Sequence, residues 1–154
     1  MGAMGAEPLT RPAGKLYEED FVEWARETAR LLRSGRFGEI DVEHVAEEVE
    51  AMAISDEREV VSRLTVLIHH LLKWGWQAEK QSRSWMLTIV VQRDDLEHVL
   101  RRSPSLKRML TDLTREAYPG AVKRASVETG LPEDSFPAEC PFSPAQILDP
   151  DFLP

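Results

Sequence analysis

Two runs of apolar residues in the first third of the chain repeat with the same spacing. Each fits one face of a helix with about 3.6 residues per turn. The first run comprises Phe21, Trp24, Ala25, Thr28, Leu31 and Leu32. The second has identical offsets and comprises Val42, Val45, Ala46, Val49, Met52 and Ala53. The first run predicts a helix from Glu18 or Glu19 to Ser34, which Gly35 and Gly38 end.

The second run predicts a helix with Asp41 as its N-cap and Val49 at the centre of its buried stripe. Ser55 and the charged residues after it resemble a further N-cap. We therefore expect a break near residues 53–55, with one long continuous helix as the alternative. The third and most apolar helix is expected over about residues 56–77 and is the candidate for the central helix.

Two more helices follow in the pattern. One begins near Ser82–Ser84 and continues to Arg102. Pro104, which suits the first turn of a helix, opens the next one. Pro119 and Gly120 are expected to kink or split that helix, because proline lacks the amide hydrogen that a helix interior uses.

The last segment, residues 131–154, is rich in both proline and large apolar residues. Its six prolines exclude a long helix or a central strand. Its apolar residues are Phe136, Phe142, Ile147, Leu148, Phe152 and Leu153. They are too many for a free tail, so we predict an extended strap with one short helical turn at Ser143–Leu148. The predicted fold is all-α: a single-domain bundle of about five helices with this Pro-rich C-terminal strap packed on it.

The helical domain is expected to comprise residues 16–154. Residues 1–15 are small and Pro-rich and are predicted to be flexible; without a long apolar core they do not resemble a signal peptide. No apolar run reaches the roughly 18 residues that a membrane helix requires. The single cysteine, Cys140, excludes an internal disulfide and suits a reducing cytoplasm, the predicted location.

The net charge of −8 is unevenly distributed along the chain. Residues 18–60 contain fourteen acidic and five basic residues, whereas residues 61–130 contain twelve basic and seven acidic residues. An acidic protein repels nucleic-acid phosphates unless its basic residues share one face. Nucleic acid is therefore a disfavoured partner. The residues that would contact it are Arg83, Arg93, Arg101, Arg102, Lys107 and Arg108.

Several glutamates lie in the second predicted helix. Glu43, Glu47 and Glu50 share one side of it, and Glu48 lies on the opposite flank. Carboxylates on facing helices can hold a metal ion, and Glu47, Glu50 and His70 are the candidate ligands. However, the Glu-x-x-His pattern of ferritin-like bundles is absent. A solvated acidic face explains the glutamates more simply, and no metal site or cofactor is predicted.

The neighbouring His69 and His70 lie in the third predicted helix. His70 falls at the edge of the apolar stripe, where a histidine can be a ligand, a general base or a hydrogen-bond partner. A structural role is the favoured interpretation for His70, and His69 is expected on the surface. The segments DVEH at 41–44 and DLEH at 95–98 each place a carboxylate one turn from an imidazole. This spacing is a weak metal signal in a chain with 27 acidic residues.

Three tryptophans flank the junction of the third and fourth predicted helices. Trp74 and Trp85 are expected to anchor these helices to each other, and Trp76 is the candidate for an exposed contact with a partner. Arg83 is expected to pair with Glu47 or Glu50, or with a ligand phosphate, because a guanidinium binds such oxyanions through two hydrogen bonds.

The chain resembles a bacterial family known only as domain of unknown function number twenty-nine. The resemblance rests on LYEEDFVEWARETARLLRSGRF, DVEHVAEEVEAM, LIHHLLKW, RSW and ETGLPEDSFPAECPFSPAQILDPDFLP, and covers about residues 16–154. It implies an all-helical, soluble bacterial protein and implies no activity, because none is established for the family. His44 departs from the asparagine that the family pattern tends to have. The characteristic positions are Glu47, Glu48, Glu50, His70, Leu71, Lys73, Trp74 and Trp85. They are the candidates for a shared polar network or binding groove, to which we add Arg83.

Nothing in the sequence indicates catalysis. No Gly-x-Ser-x-Gly motif or Gly-rich phosphate loop is present, and Cys140 has no basic neighbour to activate its thiol. The leading interpretation is therefore a non-enzymatic module that binds a protein partner, with a second copy of the chain, in a homodimer, as one candidate. One alternative is a metal- or small-ligand-binding bundle, with or without enzymatic activity, that uses the glutamates of the second helix with His70. Another is an accessory protein associated with nucleic acid.

Overall fold

A computed structural model describes residues 13–154, and over this range the chain forms seven α-helices and no strand. The four long helices are α2 (Phe21–Arg33), α3 (Val42–Trp76), α4 (Arg83–Arg102) and α6 (Leu110–Thr129). The short ones are α1 (Ala13–Glu19), α5 (Ser105–Arg108) and α7 (Pro144–Leu148). The predicted all-α bundle is confirmed. None of the helices in residues 13–154 is long and apolar enough to cross a lipid bilayer.

The chain divides into two compact units, of which the first ends at Met52 and the second comprises residues 53–154. The prediction of one domain over residues 16–154 stays a prediction. Most of the segment predicted to be flexible, residues 1–12, lies outside the described residues. Residues 13–15 begin α1.

Residues 13–33 of the first unit form two helices, α1 and α2, whereas the sequence predicts a single helix there. The chain leaves helical geometry at Asp20, whose side chain accepts a hydrogen bond from the amide of Glu23 (2.9 Å) and caps α2. The apolar face of α2 then buries Trp24, Thr28 and Leu31. The spacing of apolar residues thus correctly predicts α2, whereas α1 precedes the predicted start.

The break expected near residues 53–55 is absent, because α3 continues without interruption for 35 residues. Ser55 and Asp56 lie in its interior rather than at a cap. No proline occurs in α3, and its only glycine, Gly75, is the penultimate residue. Nothing in the backbone chemistry of this segment therefore forces the helix to end early.

The part of α3 in the first unit exposes the side chains that the sequence predicts to be buried. Val49, the predicted centre of the stripe, is 58% exposed, and Val42 and Met52 are exposed to a similar extent. Within this unit the contacts from α1 reach a different side of α3, at His44 and Glu48. Periodicity therefore identifies the apolar face correctly but not the face that neighbouring helices cover.

The core of the second unit is formed mainly by α3, α4 and α6. Its most deeply buried side chains are Val60, Leu64, Leu67, Ile68, Leu71, Leu72, Ile89, Leu96, Leu100, Ala117, Ala121, Ala125 and Ile147. Six of these thirteen come from α3, as expected for the predicted central helix. Pro119 does not split α6, which continues through it to Gly130. Gly120 allows close approach to α3, because a Cβ there would lie 3.3 Å from the side chain of Thr65.

Residues 131–154 pack on the second unit as the strap that the sequence predicts. Phe136, Phe142 and Ile147 are buried. Ser143 begins α7 through a capping box, in which its hydroxyl accepts from the amide of Gln146 (3.2 Å) and its amide donates to the Gln146 side chain (2.9 Å). The predicted helical turn at Ser143–Leu148 is therefore confirmed.

Candidate functional site

A buried cation lies near the C-terminal end of α3 in the second unit. Lys73 is only 3% exposed, and its ammonium donates to the carboxylate of Glu128 near the end of α6. Its Nζ also lies 4.3 Å from the ring centroid of Trp85, in the first turn of α4, in a cation–π contact. Removing a charge from water is costly, so these two partners are what permits Lys73 to be buried.

His69 lies beside this ion pair and is 4% exposed, so its predicted surface position is wrong. The side of α3 that carries it is covered by α6, which also contacts Thr65 one turn earlier. Its Nε2 is 3.2 Å from Glu128 Oε2, but the geometry is not that of a hydrogen bond. Burial, together with a smaller effect of His70, lowers the pKa of His69 to about 4. The ring is therefore neutral at pH 7.

The contacts of His70 are compatible with the structural role that the sequence favours, which stays a prediction. Its Nδ1 lies 2.8 Å from the carbonyl oxygen of Val66, to which it donates when it carries the proton. Burial lowers its pKa. Glu47 and Glu50 belong to the first unit and are exposed. Within residues 13–154 no three histidine, cysteine or acidic side chains are grouped so that they could hold a metal ion.

The tryptophans near this cluster are half-buried. Trp74 packs against the core, and Trp85 reaches α3 through Lys73, in agreement with their predicted anchoring role. Trp76 is not the predicted exposed contact, because its indole N–H donates to the carbonyl of Ser135 (3.1 Å) in the strap. Arg83 is exposed, and its predicted pairing with a glutamate of α3 stays a prediction.

A second polar cluster lies in the first unit, around Tyr17 of α1. The Tyr17 ring stacks on His44 with 4.0 Å between centroids, and its hydroxyl donates to Glu48 (2.5 Å). His44 Nδ1 in turn lies 2.5 Å from Asp41 Oδ2. The hydrogen bond from His44 lowers the pKa of Asp41, and the carboxylate raises the pKa of His44. This cluster joins α1 to α3 and includes one predicted network residue, Glu48.

The first unit also exposes an unusual number of large apolar side chains. They are Phe21, Val22, Leu32, Phe37, Val42, Val49 and Met52. Its described residues, 13–52, carry eleven acidic and five basic side chains, a net charge of −6. The exposed apolar residues of α3 therefore lie on a strongly acidic unit. We call Val42, Val49 and Met52 the α3 stripe.

Three of the six basic residues proposed for nucleic-acid contact already have partners within the chain. Arg93 is 6% exposed and donates to backbone carbonyls of the strap, so it is not part of any such surface. Arg101 pairs with Glu97 (2.6 Å) and Arg102 with Asp56 (2.7 Å).

Sequence reasoning missed Glu128 and Tyr17, the residues that organise the two polar clusters. Glu128 meets Lys73 across 55 positions of sequence, and Tyr17 meets Glu48 across 31. No local pattern signals such pairings. A buried lysine in an apolar helix does imply an acidic partner, and that rule could have prompted a search for one.

The family model for Domain of unknown function DUF29 matches residues 16–153. The chain therefore belongs to this family. Neither the curated proteins nor the solved structures compared with it give a match.

Proposed function

We propose that this member of the DUF29 family is a protein-interaction module that binds a basic amphipathic helix of a partner protein through the α3 stripe. The observation that carries the proposal is the contrast between this exposed stripe and the buried apolar core residues later in the same helix. Val42, Val49 and Met52 are each more than half exposed, whereas the core residues of the same helix are at most 1% exposed: Val60, Leu64, Leu67, Ile68, Leu71 and Leu72.

Exposed apolar residues that recur at helical spacing are typical of helix-binding surfaces. Val42 and Val49 are seven positions apart and therefore share one face of α3. Contact with a partner side chain would remove these residues from water, a favourable process that requires no rearrangement of α3.

The charge of the unit indicates the chemistry of the partner. Glu43 and Glu50 each follow a stripe valine and, by the helical period, flank it at about 100°. A partner helix with lysines or arginines beside its apolar face complements these carboxylates. A second copy of this chain, docked stripe to stripe, would instead bring two acidic units together. Charge thus favours a basic partner over a homodimer.

The test uses a fluorescently labelled helical peptide of leucine and lysine, with a leucine–glutamate peptide as the charge-reversed control. Fluorescence anisotropy is measured with the wild-type chain, Val49→Asp and Val127→Asp. Val127 is an exposed valine in the second unit and gives a matched control, because both variants add the same negative charge.

We expect the lysine peptide to bind the wild type and Val127→Asp equally, and Val49→Asp roughly tenfold more weakly from the lost apolar contact. The leucine–glutamate peptide should not bind. Equal binding by all three proteins would reduce the interaction to general charge attraction and contradict the proposal. If sedimentation velocity instead shows a dimer of the wild type that is lost in Val49→Asp, the α3 stripe binds a second copy of this chain and not a basic helix.

A further inference from the structure

The second unit contains a solvent-open cleft of about 400 Å³ between α6 and the strap. Tyr118 and Phe142 contribute aromatic walls, and Pro119 and Pro144 extend the apolar lining. The strap completes the cleft at Cys140, so this site exists only because residues 131–154 fold back onto α6. Its volume lies within the range of small-molecule sites in proteins.

One residue that lines the cleft, Thr114, carries a buried polar group without a hydrogen-bond partner within the described residues. The Thr114 hydroxyl is buried, its residue being 5% exposed, and it forms no hydrogen bond within the described residues. Two other polar groups of the lining are already bonded. The Tyr118 hydroxyl donates to the carbonyl of Pro137 (2.7 Å), and the Cys140 thiol donates to the carbonyl of Phe142 (3.5 Å). A buried hydroxyl without a partner is uncommon in folded proteins and marks a position where a ligand atom would be stabilised.

The lining defines the class of molecule that would fit. Aromatic and proline side chains favour a planar apolar body, which can stack on their faces. Arg115 and Glu139 both line the cleft and carry opposite charges, and Arg115 is already paired with Asp112 (2.7 Å). The cleft therefore offers no net charge to an ionic ligand.

We propose that this cleft binds a small, neutral aromatic molecule whose single polar group forms a hydrogen bond with Thr114. The site lies wholly in the second unit and is independent of the α3 stripe. An unpartnered hydroxyl can both donate and accept, so a phenol and a heteroaromatic N–H are equally suitable polar groups. The aromatic body supplies the contact area, and the hydroxyl of Thr114 supplies the selectivity for a polar substituent.

The experiment titrates the isotopically labelled full chain with three probes and follows amide chemical shifts by NMR. The probes are p-cresol, toluene, which lacks the hydroxyl, and benzoate, which is charged. The variants are Thr114→Val, which replaces the hydroxyl by a methyl group of similar size, and Thr111→Val. Thr111 also lines the cleft but is exposed, so it is the matched control.

In the wild type we expect p-cresol to shift amides in residues 111–118 and 138–144, and to bind roughly tenfold more tightly than toluene or benzoate. Thr114→Val should remove the preference over toluene while leaving toluene binding and the remaining spectrum unchanged, and Thr111→Val should behave as the wild type. Absence of shifts in these two segments, or a preference for p-cresol over toluene that survives in Thr114→Val, would overturn the proposal.

Discussion

The Nε of Arg93 donates a hydrogen bond to the carbonyl oxygen of Ile147 at 2.8 Å. The same guanidinium reaches the carbonyls of Phe152 (2.8 Å), Gln146 and Pro150 (3.4 Å each). Burial lowers the pKa of Arg93, yet a guanidinium remains charged in proteins. One buried side chain of α4 thus satisfies four carbonyls of a segment whose prolines prevent regular backbone pairing.

Replacing Arg93 with methionine should therefore loosen the strap. The substitution keeps much of the apolar volume but leaves these carbonyls without donors, which we expect to cost about 3 kcal/mol of unfolding free energy. Urea denaturation measures the loss, and limited proteolysis should cut residues 131–154 first. Arg101→Met, at an exposed arginine of the same helix, is the control and should change stability by less than about 0.5 kcal/mol. A variant as stable and protease-resistant as the wild type would refute this role.

Arg93 also shows what the sequence can and cannot predict. Apolar spacing correctly predicts α2, α4 and the core of α3, because those patterns are local. It also predicts that the apolar strap residues such as Phe142 are buried. It misplaces Arg93 and His69 because each lies on a helix side whose burial is decided by a distant segment, the strap for Arg93 and α6 for His69. Val49 shows the opposite error: it is predicted to be buried, but no helix in the described part of its unit, residues 13–52, covers it.

Removing the Glu128 carboxylate alone should destabilise the protein more than removing both charges of the Lys73–Glu128 ion pair. Glu128→Gln leaves a buried ammonium with no balancing negative charge, next to a neutral amide and the Trp85 ring, whereas Lys73→Met combined with Glu128→Gln removes the charge altogether. Because the Glu128 side chain is half exposed, water replaces part of the lost interaction. We expect a loss of about 1–2 kcal/mol for Glu128→Gln.

The double variant should recover most of that stability in the same denaturation measurement. Arg115→Met, in an exposed ion pair with Asp112, should change stability negligibly and controls for general charge effects. If the double variant is less stable than Glu128→Gln alone, the ammonium is not the source of the penalty.

His69 should make the protein less stable in mild acid. Its pKa is lowered from 6.5 to about 4 in the folded chain, so the unfolded chain binds a proton more readily between these values. Above pH 6.5 the ring is neutral in both the folded and the unfolded chain, so it adds no pH-dependent contribution to the stability. As the pH falls from 6.5 to 4, protonation favours unfolding by up to about 3 kcal/mol.

Urea denaturation at several pH values, for the wild type and His69→Gln, isolates this contribution from that of the carboxylates. The variant cannot titrate at this position, so its stability should fall less over the same interval. Parallel curves for the two proteins would show that His69 does not contribute to the acid sensitivity.

The pKa of His44 should be shifted in the opposite direction from that of His69. The Asp41 carboxylate raises the pKa of His44, so this pair stabilises the folded chain while His44 is protonated, and the stabilisation is lost as the pH rises through the raised pKa. Histidine ring signals followed by NMR across a pH series should place His44 above its ordinary value of 6.5. Asp41→Asn should bring it back toward that value without moving His69, which lies in the second unit. Asp95→Asn provides the matched control at the other Asp-x-x-His segment. An unchanged His44 titration in Asp41→Asn would show that the carboxylate is not what holds the proton on the ring.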